Sequence, residues 1–342
     1  MNSEKYSRQI LFEPIGSEGQ RKLLGSRVAV IGCGALGAVQ VEALARAGVG
    51  FLRLVDRDFV EEGNLQRQIM FEEQDAADRL PKAIACERRV SRINSDITVE
   101  AIVAHVDHTN IEEVISDVDL ILDGTDNFET RYLINDACIK HEKPWIYGAA
   151  VGSYGLTMTV IPQRTPCLRC VLEQLPPPGS SPTCDTVGVI LPIVFTIASI
   201  QVAEAIKILT GQLDRLHGTI THIDLWQNTS NRVRLDKLLE KSDCPVCKQG
   251  RFEFIDATVR HLASGLCGRN AVYISQSQHV EIDLPALAER LKSLGPVKLT
   301  KYLLSVTIDD HEINLFADGH CIVKGTVDVN VARNLYARYI GA

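Results

Sequence analysis

Surplus positive charge is missing from this sequence of 342 residues: 36 Lys and Arg against 43 Asp and Glu leave a formal net charge of −7. That balance argues against a broad phosphate-backbone footprint, so no nucleic-acid partner is expected, while a local basic pocket that grips a triphosphate stays open. An N-terminal basic segment followed by an apolar core is missing too, which points to a reducing cytoplasm. There the ten cysteines serve metals and chemistry rather than disulfides. No uninterrupted apolar run of membrane length occurs. The most apolar stretch, Val187 to Leu209, carries Gln201, Glu204 and Lys207 at helical spacing and reads as a buried helix, so no membrane association is expected. There is no internal repeat. A content of 45% hydrophobic and 23% charged residues is that of an ordinary globular protein, long enough for one large domain and a smaller one.

What is present begins with Arg27-Val28-Ala29-Val30-Ile31, an apolar run that enters Gly32-Cys33-Gly34-Ala35-Leu36-Gly37 and continues into a helical pattern from Val39 to Ala47. A second apolar run, Phe51 to Val55, ends at Asp56, about 20 residues past the glycines, where a ribose-binding acid sits in a Rossmann-type unit. Strands over Ile97–Val103, Val118–Leu122 and Trp145–Ala149 alternate with helices over Pro81–Ile93 and Arg131–His141, which predicts a mostly parallel sheet. Leu156 to Ile161 alternates with no crossover helix before it, predicting antiparallel strands that extend the same sheet. Leu175 to Thr183 is a long loop, Leu191 to Leu209 a helix stopped by Gly211, and Thr219 to Trp226 a returning strand. The expected fold is therefore α/β: a Rossmann-like mixed sheet flanked by helices in residues 1–250. A small α+β module in residues 251–342 follows, with strands at Ala271–Ser275, Leu303–Ile308 and Ile313–Phe316, helices at Leu284–Leu294 and Val329–Tyr339, and turns at Asp309-Asp310 and Asp318-Gly319.

Two Cys-x-x-Cys pairs, Cys167/Cys170 and Cys244/Cys247, can supply the four thiolates of a structural zinc site and so clamp distant segments together. Cys33, Cys86, Cys138 and Cys321 read instead as core thiols. A glycine loop at a helix start offers amide N–H groups and the helix dipole to a phosphate, which fits NAD and ATP alike. The residues after Asp56 favour ATP: Asn64-Leu65-Gln66-Arg67-Gln68 and then Lys82 place cations and carboxamides near a triphosphate, whereas no His/Asp or Tyr/Lys pair is placed for hydride transfer. Asp123-Gly124-Thr125-Asp126-Asn127 closes an apolar run at the carboxyl edge, where Asp126 is poised to hold magnesium or to cap the next helix.

Arg8-Gln9-Ile10, Gly32 to Gly37, Asn64 to Gln68, Pro81-Lys82, Asp123 to Asn127, both cysteine pairs and Thr183-Cys184-Asp185-Thr186 together resemble the ThiF and MoeB family, bacterial relatives of the ubiquitin-activating enzymes. Tyr147-Gly148-Ala149 with Gly152-Ser153-Tyr154-Gly155 is closer to the thiazole-synthesis branch. The resemblance implies adenylylation, by ATP with magnesium, of the C-terminal Gly-Gly carboxylate of a ubiquitin-like sulfur carrier. Carrier acyl-AMP and pyrophosphate form ahead of thiocarboxylate formation for thiamine or molybdopterin synthesis. It implies that Asp56 binds ribose, that Asn64, Arg67 and Lys82 bind phosphates with Gln68 beside them, and that Asp126 binds the magnesium. Arg8 would reach into a partner subunit's site, making a homodimer; Cys184 would be open to covalent linkage with the carrier; and a cysteine desulfurase or rhodanese would donate sulfur. The tail departs from shorter family members and is too short for a rhodanese, although Cys267-Gly268-Arg269-Asn270 resembles a sulfur-transfer loop. Two other readings stay open: an NAD-dependent oxidoreductase with an incidental zinc site, and a non-catalytic nucleotide-binding scaffold for sulfur transfer.

Overall fold

The structure is a computed structural model that describes residues 4–176, 182–256, 265–266, 270–274 and 282–341. Most of the Leu175–Thr183 loop and Cys267-Gly268-Arg269 lie outside the described residues. The chain divides into two compact units, residues 1–181 with 188–259 and residues 182–187 with 260–342.

The first unit is built on eight strands: β1 (Arg27–Ile31), β2 (Phe51–Asp56), β3 (Thr98–Val103), β4 (Leu120–Asp123), β5 (Trp145–Val151), β6 (Tyr154–Val160), β7 (Thr219–Asp224) and β8 (Thr229–Arg234). Their order is β3-β2-β1-β4-β5-β6-β7-β8. Pairs from β3 through to β5 are parallel and those from β5 to β8 antiparallel. The central strands β1, β2 and β4 are almost wholly buried, as a parallel sheet covered on both faces requires, and this is why they read as unbroken apolar runs. Strand order reverses at β1, with β2 on one side and β4 on the other, so the crevice for a ligand lies past the carboxyl ends of these strands. In register, Ile31 pairs with both Val55 and Asp123, which brings Gly32, Asp56 and Gly124 to one edge.

Leu191–Thr210, the one helix among the described residues long and apolar enough to cross a membrane, is a core element here. Its Ile193, Val194, Ile197 and Ala198 pack on Leu36 and Val39 of the glycine-loop helix. Gln201 is fully buried and donates to the Asp123 and Ile146 carbonyls, so the polar residues that interrupt the apolar run are spent inside the protein. Phe252, Phe254 and Ile255 pack into this unit's core, so its chain continues beyond residue 250.

The second unit has a six-stranded antiparallel sheet of β9 (Gly265–Leu266), β10 (Ala271–Ile274), β11 (Val297–Leu299), β12 (Leu303–Ile308), β13 (His311–Phe316) and β14 (Cys321–Lys324), in the order β11-β12-β13-β14-β10-β9. Helices Leu284–Leu291 and Val329–Tyr339 share a core with it. Each helix is capped by an aspartate: Asp283 accepts from the Ala286 N–H at 2.9 Å and Asp328 from the Asn330 N–H at 2.8 Å.

Candidate nucleotide site and metal centre

β1 runs into Gly32, whose φ of +89° is left-handed backbone that favours glycine. A Cβ at Gly37 would stand 1.8 Å from the Gly32 carbonyl oxygen, and one at Gly124 would stand 2.3 Å from that same oxygen. The glycine loop and the loop after β4 therefore touch backbone to backbone. Gly34 differs: it caps the Ala35–Ala47 helix, and a Cβ there would meet nothing nearer than 4.0 Å. An anion can approach the helix's first amide groups on that open side.

Asp56 ends β2 with both carboxylate oxygens engaged, Oδ2 by the Cys33 N–H and Oδ1 by the Asp58 N–H, each at 2.7 Å. Burial raises its carboxyl above the ordinary range, and the Lys82 ammonium pulls it back down. Lys82, almost wholly buried at the start of the Lys82–Ile93 helix, lies 3.1 Å from Asp58 Oδ2. Asp58 is thus the anchor of the expected phosphate-binding lysine, a role that nothing in the local sequence announces.

Asn64 is buried and partly committed to its own turn, with Oδ1 accepting from the Glu61 N–H at 3.1 Å. Its amide nitrogen is the group suited to a phosphate. Arg67 donates to the Gly63 carbonyl at 2.7 Å, and Gln68 is buried with its Nε2 facing Gly34. Gln68 Oε1 has no hydrogen-bond partner among the described residues, an orphaned acceptor beside the open side of the glycine loop.

Asp123 and Asp126 have opposite environments. Asp123 is fully buried; its Oδ1 accepts from Thr125 N and Oγ1 at 2.8 and 2.6 Å, and its Oδ2 from Arg131 Nε at 3.2 Å. Burial pushes its carboxyl up and Arg131 draws it down. Asp126 is exposed. It is not the helix cap: Asn127 is, accepting from the Thr130 N–H at 2.9 Å, so the Phe128–Lys140 helix starts three residues before the expected Arg131. That leaves the Asp126 carboxylate at the carboxyl edge, suited to a hard cation held by one carboxylate and substrate phosphates.

Arg8 and Cys184 are two further expected residues. Arg8 is exposed on the Ser7–Ile10 turn, which is anchored through Gln9 to the Ala47 carbonyl at 2.9 Å. Cys184, half-buried, opens the exposed turn Cys184–Val187, held by Thr183 and Thr186, and belongs to the second unit.

The four cysteines Cys167, Cys170, Cys244 and Cys247 meet with all their sulfurs within 4.8 Å of one another. Sulfur separations are 3.8 Å for Cys167 to Cys170, 3.6 Å for Cys167 to Cys244 and 3.3 Å for Cys170 to Cys247. Tetrahedral zinc with bonds of about 2.3 Å would hold its sulfurs about 3.8 Å apart, so this donor set fits. The Phe128–Lys140 helix supports the cluster, since Asn135 Oδ1 accepts from the Leu168 N–H at 2.8 Å and the Tyr132 hydroxyl reaches the Leu172 and Gln174 carbonyls at 2.8 and 2.9 Å. Cys33, Cys86, Cys138 and Cys321 are buried and are not members of this cluster, and the Cys33 and Cys86 thiols interact with each other.

A parallel sheet whose order reverses at β1, a glycine loop opening a helix, acids at the ends of neighbouring strands and a four-thiol clamp define a nucleotide-binding protein on a Rossmann-like frame. Residues 6–246 match the profile of the ThiF family, and the chain belongs to that family. It is 46% identical over 338 residues, 98% of this chain and 99% of the relative, to the sulfur carrier protein ThiS adenylyltransferase of Bacillus subtilis. It is 39% identical over 253 residues, 74% of this chain and 92% of the relative, to the SAMP-activating enzyme E1 of Haloferax volcanii. The ThiS adenylyltransferase of Escherichia coli is 38% identical over 71% of this chain and 94% of its own, so the C-terminal module is shared with the Bacillus relative and not with this one. Among solved structures, E. coli MccB with ATP superposes with a TM-score of 0.62 at 22% identity, over 72% of this chain and 75% of that one, a likeness of fold.

Proposed function

We propose that this chain uses ATP to adenylylate the C-terminal carboxylate of a ubiquitin-like sulfur-carrier protein ending in Gly-Gly, giving carrier acyl-AMP and pyrophosphate ahead of thiocarboxylate formation. One observation carries the reading: the open helix start at Gly34, the buried Lys82 ammonium and the exposed Asp126 carboxylate lie at one edge of a sheet, in a chain this similar to a ThiS adenylyltransferase. Asp56 accepts from the ribose hydroxyls, Asn64, Arg67, Gln68 and Lys82 donate to the phosphates, and Asp126 holds magnesium. The metal, when bound, neutralises phosphate charge as pyrophosphate leaves. The carrier's carboxylate is already ionised at neutral pH, so the site needs no general base. Its work is to position two anions and screen their repulsion.

The ThiS names of two relatives favour the thiamine pathway over molybdopterin for this chain. We assign zinc to the four-cysteine clamp, where it holds structure and takes no part in the reaction. A homodimer with Arg8 acting in the partner's site is supported by the exposure of Arg8 and of the adjoining Leu11 and Phe12, which are 71% and 59% accessible. Cys184 is the candidate for a thiol link to the activated carrier, with sulfur coming from a cysteine desulfurase or rhodanese. The C-terminal module, which we delimit as residues 260–342, serves carrier docking or dimer support. A reducing cytoplasm suits the clamp's thiolates.

The test is carrier-dependent exchange of labelled pyrophosphate into ATP. Exchange that needs the carrier and is lost in Asp126→Ala, with ATP binding retained, supports the reading. Binding of NAD without ATP moves the chain to the oxidoreductases, and ATP binding without exchange leaves a scaffold.

A further inference from the structure

We propose that Arg131 is a positioning residue for the metal-binding carboxylate: its buried guanidinium fixes the peptide that carries Asp126, and thereby sets the affinity for the cation. The inference rests on the ATP-dependent reading above.

Asp126 sits between two fixed points. On its C-terminal side Asn127 is tied down as the helix cap, accepting from the Thr130 N–H. On its N-terminal side the carbonyl of Thr125, which belongs to the peptide joining Thr125 to Asp126, accepts from Arg131 Nη2 at 2.7 Å. The same Nη2 reaches the Gly148 carbonyl of β5 at 3.2 Å, and Nε reaches Asp123 Oδ2 of β4 at 3.2 Å. Arg131 therefore bolts the Asp126 peptide to the ends of two sheet strands. Asp123 holds the same loop from the other side through Thr125 N and Oγ1. A planar fork is needed to meet three acceptors at once, and a lysine ammonium lacks that geometry.

Stability alone is a weak reason for this arrangement. The side chains of Arg131 and Asp123 are 7% and 0% exposed, and removing two charges from water costs several kcal/mol per ion, which an apolar pair of similar volume would avoid. Catalytic geometry is a stronger one, because a carboxylate must be held within about 0.5 Å of its working position to share a cation with substrate phosphates. The network extends further: Gln201 donates to the Asp123 carbonyl at 3.1 Å and accepts from Gln40 Nε2 at 2.7 Å, so the glycine-loop helix, the Leu191–Thr210 helix and the Asp126 loop share one anchor. Pairing with Asp123 also balances the guanidinium charge, which would otherwise compete with a cation at Asp126.

The experiment uses the full chain and its Arg131→Lys and Asp123→Asn variants. Mn2+ binding in the presence of a non-hydrolysable ATP analogue is followed by electron paramagnetic resonance, and binding of the analogue in excess chelator by calorimetry. The expected result for Arg131→Lys is a loss of Mn2+ affinity of about tenfold or more, typical when a group supporting a metal ligand is changed. Chelator-phase nucleotide binding stays unchanged, and pyrophosphate exchange returns at high Mn2+. Asp123→Asn shifts the same way and supplies the reading if Arg131→Lys does not fold. Unchanged Mn2+ affinity overturns the proposal, as does an equal fall in metal-dependent and metal-free binding, which marks a residue that only supports the fold. A parent chain that binds no ATP analogue at all overturns the ATP reading, and this one with it; normal binding by parent and variants alike overturns this one alone.

Discussion

Lys82 is bonded twice to Asp58: its ammonium lies 3.1 Å from the carboxylate and its backbone N–H donates to the Asp58 carbonyl at 2.9 Å. A cation at a helix start opposes the helix dipole, so Lys82 stands where an anion is required beside it. Asp58 supplies one such anion, and a triphosphate would supply the other. Lys82→Met should therefore leave a folded chain that has lost pyrophosphate exchange by about a hundredfold, the cost of deleting one donor from a site of developing charge. Thermal melting and exchange rate measured together check this; exchange near the parent rate would remove Lys82 from the site.

Two glycines of one loop should fail in different ways. Gly37→Ala places a methyl 1.8 Å from the Gly32 carbonyl oxygen and should prevent the loop from forming, with low soluble yield as the readout. Gly34→Ala has room, at 4.0 Å from its nearest neighbours, and an ordinary φ of −75°. It should fold and melt like the parent while weakening nucleotide binding, because its methyl enters the space left for phosphate. Calorimetric titration with ATP separates the two outcomes.

The contrast between these glycines shows what could be read without coordinates. The glycine loop, Asp56 and the cysteine pairs announce themselves through fixed spacing along the chain, and buried parallel strands do so through unbroken apolar runs. Asp58 and Arg131 do not, because their roles depend on partners brought together only by the sheet: Lys82 lies 24 residues from Asp58, and Gly148 lies 17 from Arg131. By sequence Asp126 is open to either role, metal ligand or cap, and only the observed start of the helix at Phe128 gives the cap to Asn127. β8 gives no local signal because all six of its residues are exposed, so Thr229 to Arg234 carries no alternation to detect. Boundaries at the clamp and the module shift for a similar reason, since Phe254 reaches back to a core that local pattern does not reveal.

The thiol clamp makes a prediction about metal. Cys167 and Cys170 follow β6, whereas Cys244 and Cys247 follow the Asp236–Lys241 helix, so a bound ion ties together segments 77 residues apart. Purified reduced protein should contain one zinc per chain. A strong chelator should lower the melting temperature and expose all four thiols to alkylation, while ATP binding survives because no nucleotide-site residue is a zinc ligand. Metal analysis that finds no zinc, or chelation that leaves melting unchanged, would refute the clamp.

Asp136 carries the last prediction. It is fully buried on the Phe128–Lys140 helix, its Oδ2 accepts from the Phe254 N–H at 3.0 Å, and its Oδ1 has no hydrogen-bond partner among the described residues. Burial raises its carboxyl to about 7, against the pull of the Phe254 N–H and the Arg169 guanidinium. A carboxyl raised on folding binds more protons in the native than in the unfolded state between the two pKa values, so its contribution to stability falls as pH rises through that interval. The interval here runs from the ordinary value of 3.8 to about 7, and above it the penalty is constant. Asp136→Asn removes the charge yet keeps an oxygen that can accept from the Phe254 N–H. At pH 8 the variant should be more stable than the parent by roughly 2–4 kcal/mol, because each tenfold change in an ionisation constant is worth about 1.4 kcal/mol and the surroundings relax around the charge. At pH 4.5 the gap should shrink. Urea unfolding across that range measures it, and parallel pH profiles for the two proteins would show that Asp136 ionises as easily folded as unfolded.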